Sequence, residues 1–422
     1  MPTTDRTSSL RISALGWIAL SIVLLTPWVI LLKFVRAEAP ISAAPAAAAR
    51  TTAAPASSTG PLEGELTPGP WGRLTFNTIM IEPPEAVIPV VSSEPRKQQW
   101  HFHGYTAAKL QVLWEEAGLS AAEQQELNAP GNRTISESGI SVLPSTELIL
   151  ALRPTARGKI YTVLAEFPQN PAQHEPFRFR ADSLDDWFVD SDLAPETIRL
   201  TKQLLYERSG IVFFSDQDLV LSRLTTPGER IRYLKALSRK PALIVQLNIA
   251  HGANAEALVQ YWGRGRRTKD LEPLIASVAR RPAGGSLDVI HLLPRFPRSM
   301  LDTYPMPGDV AAGDAYDCHW TSFNFYGDQP DQRFTDIDFV KQTITTDYYP
   351  VGGEPMLGDI ILFVRPGNVV IHSCVFVADD IVFTKNGPGY SVPWMLSRLA
   401  QVVAFYGRGQ EMELRRFRPK RL

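Results

Sequence analysis

Cysteine is scarce in this chain of 422 residues, which contains only Cys318 and Cys374. Two cysteines exclude a disulfide scaffold, and because they form no Cys-x-x-Cys pair, a cysteine-based zinc site is not expected. The two residues can still form one disulfide bond, or one of them can be a reactive thiol. His101 and His103 alternate like ligands on a strand, but no third ligand is evident near them. We therefore predict no metal and no cofactor.

A large excess of charge of one sign is also missing. The chain has 43 basic and 44 acidic residues, which gives a net charge of -1. Proteins that bind nucleic acid through its phosphates carry a basic surplus, so no nucleic-acid partner is expected. Two small basic clusters occur at residues 263–267 and 415–421. They are expected to be solvated, with contact to anions or to a membrane surface as the alternative.

A long apolar run occurs near the N-terminus, at residues 15–32, with basic residues on both sides. At ~1.5 Å per residue it nearly crosses a hydrocarbon core of ~30 Å. We interpret residues 1–36 as an uncleaved signal anchor, with a cleaved signal peptide as the alternative because residues 37–39 resemble a cleavage motif. Either interpretation exports the rest of the chain. The predicted location is extracytoplasmic, in the periplasm or cell envelope, with anchorage in the cytoplasmic membrane.

Composition divides the next part of the chain in two. Residues 37–70 are dominated by Ala, Pro, Ser, Thr and Gly, a composition that cannot bury a core and is typical of a linker. Residues 71–300 are predicted to form a mixed, mainly helical domain whose role the motifs do not indicate. Helices are expected near 105–117, 145–152, 156–167, 194–210, 226–239, 254–263 and 271–280, and strands at 242–249 and 287–293.

Residues 301–422 are predicted to form a second domain with a basic tail. Helices are expected at 317–326, 336–347 and 393–399, and strands at 358–364, 368–377, 381–384 and 402–406. Asp379 and Asp380 are expected to form the tight turn between two of these strands. The chain is therefore assigned to the α+β class. A mostly helical middle region precedes a domain in which a helix carries Cys318 and an antiparallel sheet carries His372.

The candidate catalytic group is centred on Cys318, at a predicted helix start. The thiolate is the nucleophilic form, and a helix N-terminus favours that anion and offers N–H groups to an oxyanion. The base must be a histidine within reach of the sulfur, and His372 is the best candidate because it stands inside an apolar run and needs a partner there. Asn386, or less well Thr384, would orient the imidazole, since both share one strand face while Lys385 points the other way.

These motifs resemble the NlpC/P60 and CHAP branch of the papain-like hydrolases, over roughly the last quarter of the chain. The motifs that carry the resemblance are Asp317-Cys318, Gly358-Asp359 at a strand start, and His372 on the next strand. The resemblance implies a fold in which the cysteine opens a helix that packs on the sheet bearing the histidine. It also implies hydrolysis of amide bonds in cell-wall peptides, or a related acyl transfer, by Cys318, His372 and Asn386.

Simpler interpretations exist for each of these residues. Cys318 can be a buried structural thiol, or it can pair with Cys374, which faces the same side of its strand as His372. His372 can be a satisfied core histidine, and Asn386, which precedes Gly387, can be a turn residue. The predicted function is a thiol hydrolase of peptidoglycan-like peptides. The alternatives are a catalytically degenerate scaffold or binding protein, and a transpeptidase or acyltransferase that uses the same residues.

Overall fold

The structure is a computed structural model of the chain. It describes residues 51–52, 62–88, 98–179, 184–208, 211–308, 316–407 and 411–421. The apolar run at residues 15–32 lies outside these ranges. Within them, no helix combines the length and the apolar character needed to cross a membrane; the longest have 12 residues, against ~20 for a span. This finding contradicts the predicted transmembrane helix and membrane-anchored localisation.

Polar caps and prolines define where the helices begin. Ser120 and Thr226 each accept a hydrogen bond from the backbone N–H three residues later, and the carboxylates of Glu123 and Glu229 accept one from the backbone N–H of the cap residue. Both bonds satisfy N–H groups that a helix leaves open. The described helices are α1 (Ala107–Ala117), α2 (Ala121–Asn128), α3 (Thr146–Ala151), α4 (Pro154–Leu164), α5 (Pro171–His174), α6 (Pro195–Gln203), α7 (Gln217–Leu221), α8 (Pro227–Ser238), α9 (Ala255–Trp262), α10 (Thr268–Ala279), α11 (Arg295–Met300), α12 (Cys318–Phe323), α13 (Ile337–Asp347) and α14 (Leu399–Gly407).

The described strands pair only antiparallel. They are β1 (Thr51–Thr52), β2 (Glu63–Glu65), β3 (Arg73–Ile81), β4 (Trp100–His103), β5 (Arg133–Ser136), β6 (Gly139–Val142), β7 (Phe177–Phe179), β8 (Tyr206–Arg208), β9 (Ile211–Phe214), β10 (Lys240–Ile249), β11 (Gly285–Asp288), β12 (Tyr348–Pro350), β13 (Ile360–Arg365), β14 (Val369–Ala378), β15 (Ile381–Lys385), β16 (Trp394–Arg398) and β17 (Glu413–Pro419). The large sheet has the order β1-β17-β13-β14-β15-β16, and β12 also pairs with β17. Smaller sheets have the orders β11-β10-β3-β2, β4-β6-β5 and β7-β9-β8. Helices with antiparallel sheets confirm the α+β class.

The described residues bury two large hydrophobic cores. One lies between residues 88 and 237 and joins α1, α4 and α8 to two of the small sheets. The other joins β3, β10, α9 and α10 to the large C-terminal sheet. Two hydrogen bonds tie this second core together, from Trp262 Nε1 to the Trp71 carbonyl and from the Tyr261 hydroxyl to the Val377 carbonyl. Residues 66–76 and 243–301 therefore pack with the C-terminal domain rather than with the helices of the middle region.

Helices cover both faces of the large sheet. On one face, Phe323 of α12 and Val340 of α13 pack against Leu362 of β13. On the other face, Tyr406 of α14 stacks on His372 of β14, with ring centroids 4.1 Å apart. Successive residues of a strand point to opposite faces, so the parity of each position decides which helix its side chain can reach.

Three predicted elements near the C-terminus are different in the structure. Residues 393–399, predicted as a helix, contain strand β16, and residues 402–406, predicted as a strand, lie within helix α14. The closing strand is instead β17, which overlaps the predicted basic tail. The cause is tertiary, because β16 pairs along β15 and β17 along β13, and such pairing overrides local preference.

Two further differences concern segments that precede residue 301 and pack in or beside the second core. The predicted linker at residues 37–70 contains strand β2 and the buried Leu66. The predicted strand at 287–293 ends at Asp288, where a 3-10 turn, Val289–His291, begins. Asp288 causes the change by accepting a hydrogen bond from the Ile290 N–H at 3.0 Å, a local bond that competes with strand pairing.

Candidate active site

Cys318 is the first residue of helix α12, as the sequence predicts, and it is buried. Asp317 caps the helix, because its Oδ1 accepts a hydrogen bond from the Trp320 N–H at 2.9 Å. The carboxylate thus occupies an N–H group that the prediction had left open for an oxyanion.

Helix α12 packs on the face of the sheet that carries Ser373 and Trp394. The Ser373 hydroxyl lies 3.0 Å from the Cys318 carbonyl oxygen and 3.0 Å from the Ser322 hydroxyl. Trp394 Nε1 donates to the Thr321 hydroxyl at 2.9 Å. Both contacts fix the helix to one face of β14, β15 and β16.

His372 lies on the opposite face. It precedes Ser373 in β14, so strand alternation points its ring away from α12. The cross-strand partner of His372 is Phe363, whose ring contacts the imidazole, and Tyr406 covers it. The structure therefore separates the imidazole of His372 from the helix that carries Cys318.

The two residues predicted to orient the imidazole, Thr384 and Asn386, lie beside His372. Its Nε2 lies 3.0 Å from the Thr384 hydroxyl, which donates to Asn386 Oδ1 at 2.9 Å. Because the hydroxyl has one proton and gives it to Asn386, it accepts from a protonated Nε2. Thr384 is thus the direct partner, and Asn386 acts one step further away. His372, Thr384 and Asn386 are brought together, without Cys318.

The imidazole of His372 is held in its neutral form. Burial lowers its pKa well below the usual value, and the nearby His319 imidazole lowers it further. Its Nδ1 has no hydrogen-bond partner among the described residues. A neutral, stacked ring of this kind is typical of a core histidine.

Cys374 shares the face of His372 and is fully buried. No disulfide bond joins Cys374 to Cys318. Burial raises the pKa of the Cys374 thiol, which makes it an inert structural thiol near neutral pH.

Lys385 is the residue that the prediction missed on the face of Cys318. Its neighbour Thr384 points to His372, so Lys385 points to the face covered by α12. Its side chain is fully buried, and its cross-strand partner is Trp394. The ammonium donates to the carbonyl oxygens of Gly387 at 2.6 Å and Gly389 at 3.1 Å. The alternation of positions along the strand was the signal that could have found Lys385, because it places Lys385 and Thr384 on opposite faces of the sheet.

Burial lowers the pKa of Lys385 to about 7, although the charges of Asp317 and Cys318 act to raise it. Asp317 and Cys318 are therefore the acidic groups whose charge acts on the Lys385 amine. An amine that titrates near 7 is half neutral at neutral pH and can accept a proton. Lysines of this kind are found at catalytic sites, where burial makes them usable as bases.

No family model, curated protein or solved structure matches this chain. The resemblance to the NlpC/P60 and CHAP hydrolases therefore stays a prediction that rests on its motifs.

The Gly358-Asp359 motif, which belongs to that resemblance, has a structural explanation in this chain. Gly358 has φ +88, and a side chain there would meet the ring of Tyr326. Asp359 is fully buried and accepts two hydrogen bonds from Arg418 of β17, each at 2.7 Å. The motif thus starts β13 and fastens it to the closing strand.

His319, the residue after Cys318 in α12, is a further buried polar side chain. Its Nδ1 lies 3.0 Å from the Ser373 hydroxyl, while its Nε2 has no hydrogen-bond partner among the described residues. Burial lowers its pKa and Asp317 opposes that effect. All six residues of α12, His319 among them, are buried.

Proposed function

We propose that the protein is a thiol hydrolase of peptide amide bonds, with Cys318 as nucleophile and Lys385 as proton acceptor. The observation that carries the proposal is the position of the Lys385 amine on the sheet face covered by α12, where Cys318 and Asp317 raise its pKa against burial. This assignment keeps the predicted nucleophile and replaces His372 as the base. The papain-like arrangement, with a cysteine helix against an antiparallel sheet, belongs to the same proposal.

The reaction needs no group beyond these two residues and water. The neutral Lys385 amine takes the thiol proton, and the Cys318 sulfur bonds to the carbonyl carbon of the amide. The Lys385 ammonium then gives its proton to the leaving nitrogen as the C–N bond breaks, which leaves a thioester. Lys385 next takes a proton from water, and the hydroxide adds to the thioester carbon. Breaking of the C–S bond then releases the carboxylic acid, and the Lys385 ammonium returns its proton to the departing sulfur, which regenerates the thiol and the neutral amine.

The proposed substrates are peptides of the peptidoglycan type, the class that the motif resemblance implies. Transfer of the acyl group to an amine instead of water would use the same thioester. The two outcomes differ only in the acceptor, so a peptidase assay with and without an added amine acceptor distinguishes them.

The test is an amidase assay on muropeptides and on a general peptide library, with the purified chain. Cys318→Ala should abolish turnover, and Lys385→Met should lower it by about 10²-fold or more, the usual effect of losing a general base. Cys374→Ala is the matched control and should stay within about threefold of the parent. Equal turnover for Cys318→Ala and the parent would refute the proposal.

His372→Gln separates this assignment from the predicted triad. With Lys385 as the base, His372→Gln should keep most of the turnover at neutral pH, once the folded fraction has been corrected by circular dichroism. If His372→Gln is as inactive as Cys318→Ala while Lys385→Met is active, His372 is the base and our assignment is wrong.

A second candidate is a scaffold or binding protein with a degenerate hydrolase domain. The separation of Cys318 and His372 on two faces of the sheet favours it, as does the burial of Cys318, which is 3% exposed. Labelling with iodoacetamide distinguishes the two candidates. A nucleophilic Cys318 should react in the folded chain near pH 7 and lose that reactivity in Lys385→Met, whereas a structural thiol should react only on unfolding.

A further inference from the structure

A groove of about 1040 Å³ lies beside the α9–α10 hairpin and strand β17, and it does not include Cys318. The basic cluster predicted at residues 263–267 forms the turn of that hairpin. The charged residues that line the groove are Arg264, Arg266, Arg418, Lys420, Glu256 and Glu272. The volume is close to the upper limit, ~1,000 Å³, of pockets that hold small molecules.

At the basic end of the groove, no carboxylate of the described residues pairs with Arg264, Arg266 or Lys420. Arg264 donates to the Leu357 carbonyl at 3.2 Å and to the Met356 sulfur, and Lys420 donates to the Thr346 carbonyl at 2.6 Å. Arg266 is exposed at the tip of the turn. Arg418 differs, because Asp359 neutralises it. Arg264, Arg266 and Lys420 therefore supply the positive end.

The other end is acidic. Glu256 lies in the first turn of α9 and Glu272 in the first half of α10, and both are exposed. At ~1.5 Å per residue, Glu256 is ~9 Å along the helix axis from the end of α9. The groove thus carries charges of both signs, a combination that suits a small zwitterion, and the acidic side chains disfavour a long polyanion.

We propose that this groove binds a small zwitterionic phosphate ester. Its phosphate lies against the guanidinium groups of Arg264 and Arg266, whose planar donors match phosphate oxygens. Its amino group extends toward Glu256 and Glu272. The site is independent of Cys318 and of the hydrolase chemistry.

The test is isothermal titration calorimetry of the full chain with O-phosphoethanolamine, with inorganic phosphate and with ethanolamine. O-phosphoethanolamine should bind saturably and more tightly than phosphate, and ethanolamine should not bind. Arg266→Gln should weaken the binding of the ester by about tenfold. Glu256→Gln should weaken the ester and leave phosphate unchanged. Cys318→Ala should bind like the parent, which separates this proposal from the proposed hydrolase activity.

Arg295→Gln is the matched control, because Arg295 is an exposed arginine outside the groove. The proposal is overturned if O-phosphoethanolamine shows no saturable binding, or if Arg295→Gln weakens it as much as Arg266→Gln. Phosphate that binds as tightly as the ester would also overturn it, since the acidic end would then contribute nothing.

Discussion

The buried ammonium of Lys385 makes the stability of the fold depend on pH. Its pKa is about 7 in the folded chain, against ~10.4 for an unfolded lysine. Between these values the unfolded chain holds the proton and the folded chain does not, so stability rises as pH increases from about 7 to about 10. Below about 7, the folded chain carries the full cost of a buried charge.

Lys385→Met should therefore stabilise the protein while it removes the proposed activity. At pH 7 we expect the free energy of unfolding to rise by about 1–3 kcal/mol, because burial of an ammonium costs more than burial of a thioether. The gain should shrink toward pH 10. Urea unfolding at a series of pH values measures it, with the exposed Lys109→Met as control. A loss of stability at pH 7 would show that the two carbonyl contacts outweigh burial.

The two buried imidazoles predict a loss of stability in acid. Burial lowers the pKa of both His319 and His372, so below pH ~6.5 the unfolded chain binds protons that the folded chain excludes. Stability should fall as pH decreases from 7 to 5. His372→Gln should reduce by about one the number of protons that the chain takes up on unfolding, and so flatten this pH dependence. His251→Gln, at an exposed position, should leave it unchanged. Parallel pH profiles for His372→Gln and the parent would contradict the prediction.

Among the elements, strand β17 depends on the ion pair between Asp359 and Arg418. Asp359 is fully buried and Arg418 is mostly so. Arg418→Met should lower the free energy of unfolding by about 3 kcal/mol, because it leaves a buried carboxylate without its partner. The double variant Asp359→Asn with Arg418→Met should recover much of that loss. Thermal unfolding of both variants tests this, and an equal loss in the double variant would assign the effect to lost packing instead.

At the scale of the whole molecule, the two large cores are expected to respond separately to cavities. Ile160→Ala in the first core should reduce stability by about 2–4 kcal/mol and increase hydrogen exchange within residues 98–238. Val375→Ala, in the second core, should increase exchange in β13, β14 and β15 instead. Both side chains are fully buried. If either variant raises exchange equally throughout the chain, the two cores unfold as one unit.

Most elements of this fold are predictable because their signals are local. Capping residues mark α2 and α8, an apolar run marks β10, and the Gly358-Asp359 pair marks the start of β13. The errors fall where pairing with distant strands decides the outcome. Residues 394–398 form a strand only because β15 offers its edge, and local sequence carries no information about that edge.

The sequence by itself determined that Cys318 opens a helix, that His372 stands on a strand, and that Thr384 and Lys385 face opposite ways. Each of these follows from capping or from the period of two residues along a strand. Only the tertiary structure decided which face of the sheet the Cys318 helix covers. Helix α12 packs on the face of Ser373 and Lys385 because Phe323 and Thr321 find their partners there. That choice separates Cys318 from His372, and it leaves Lys385 as the titratable side chain of β15 on the face of the thiol.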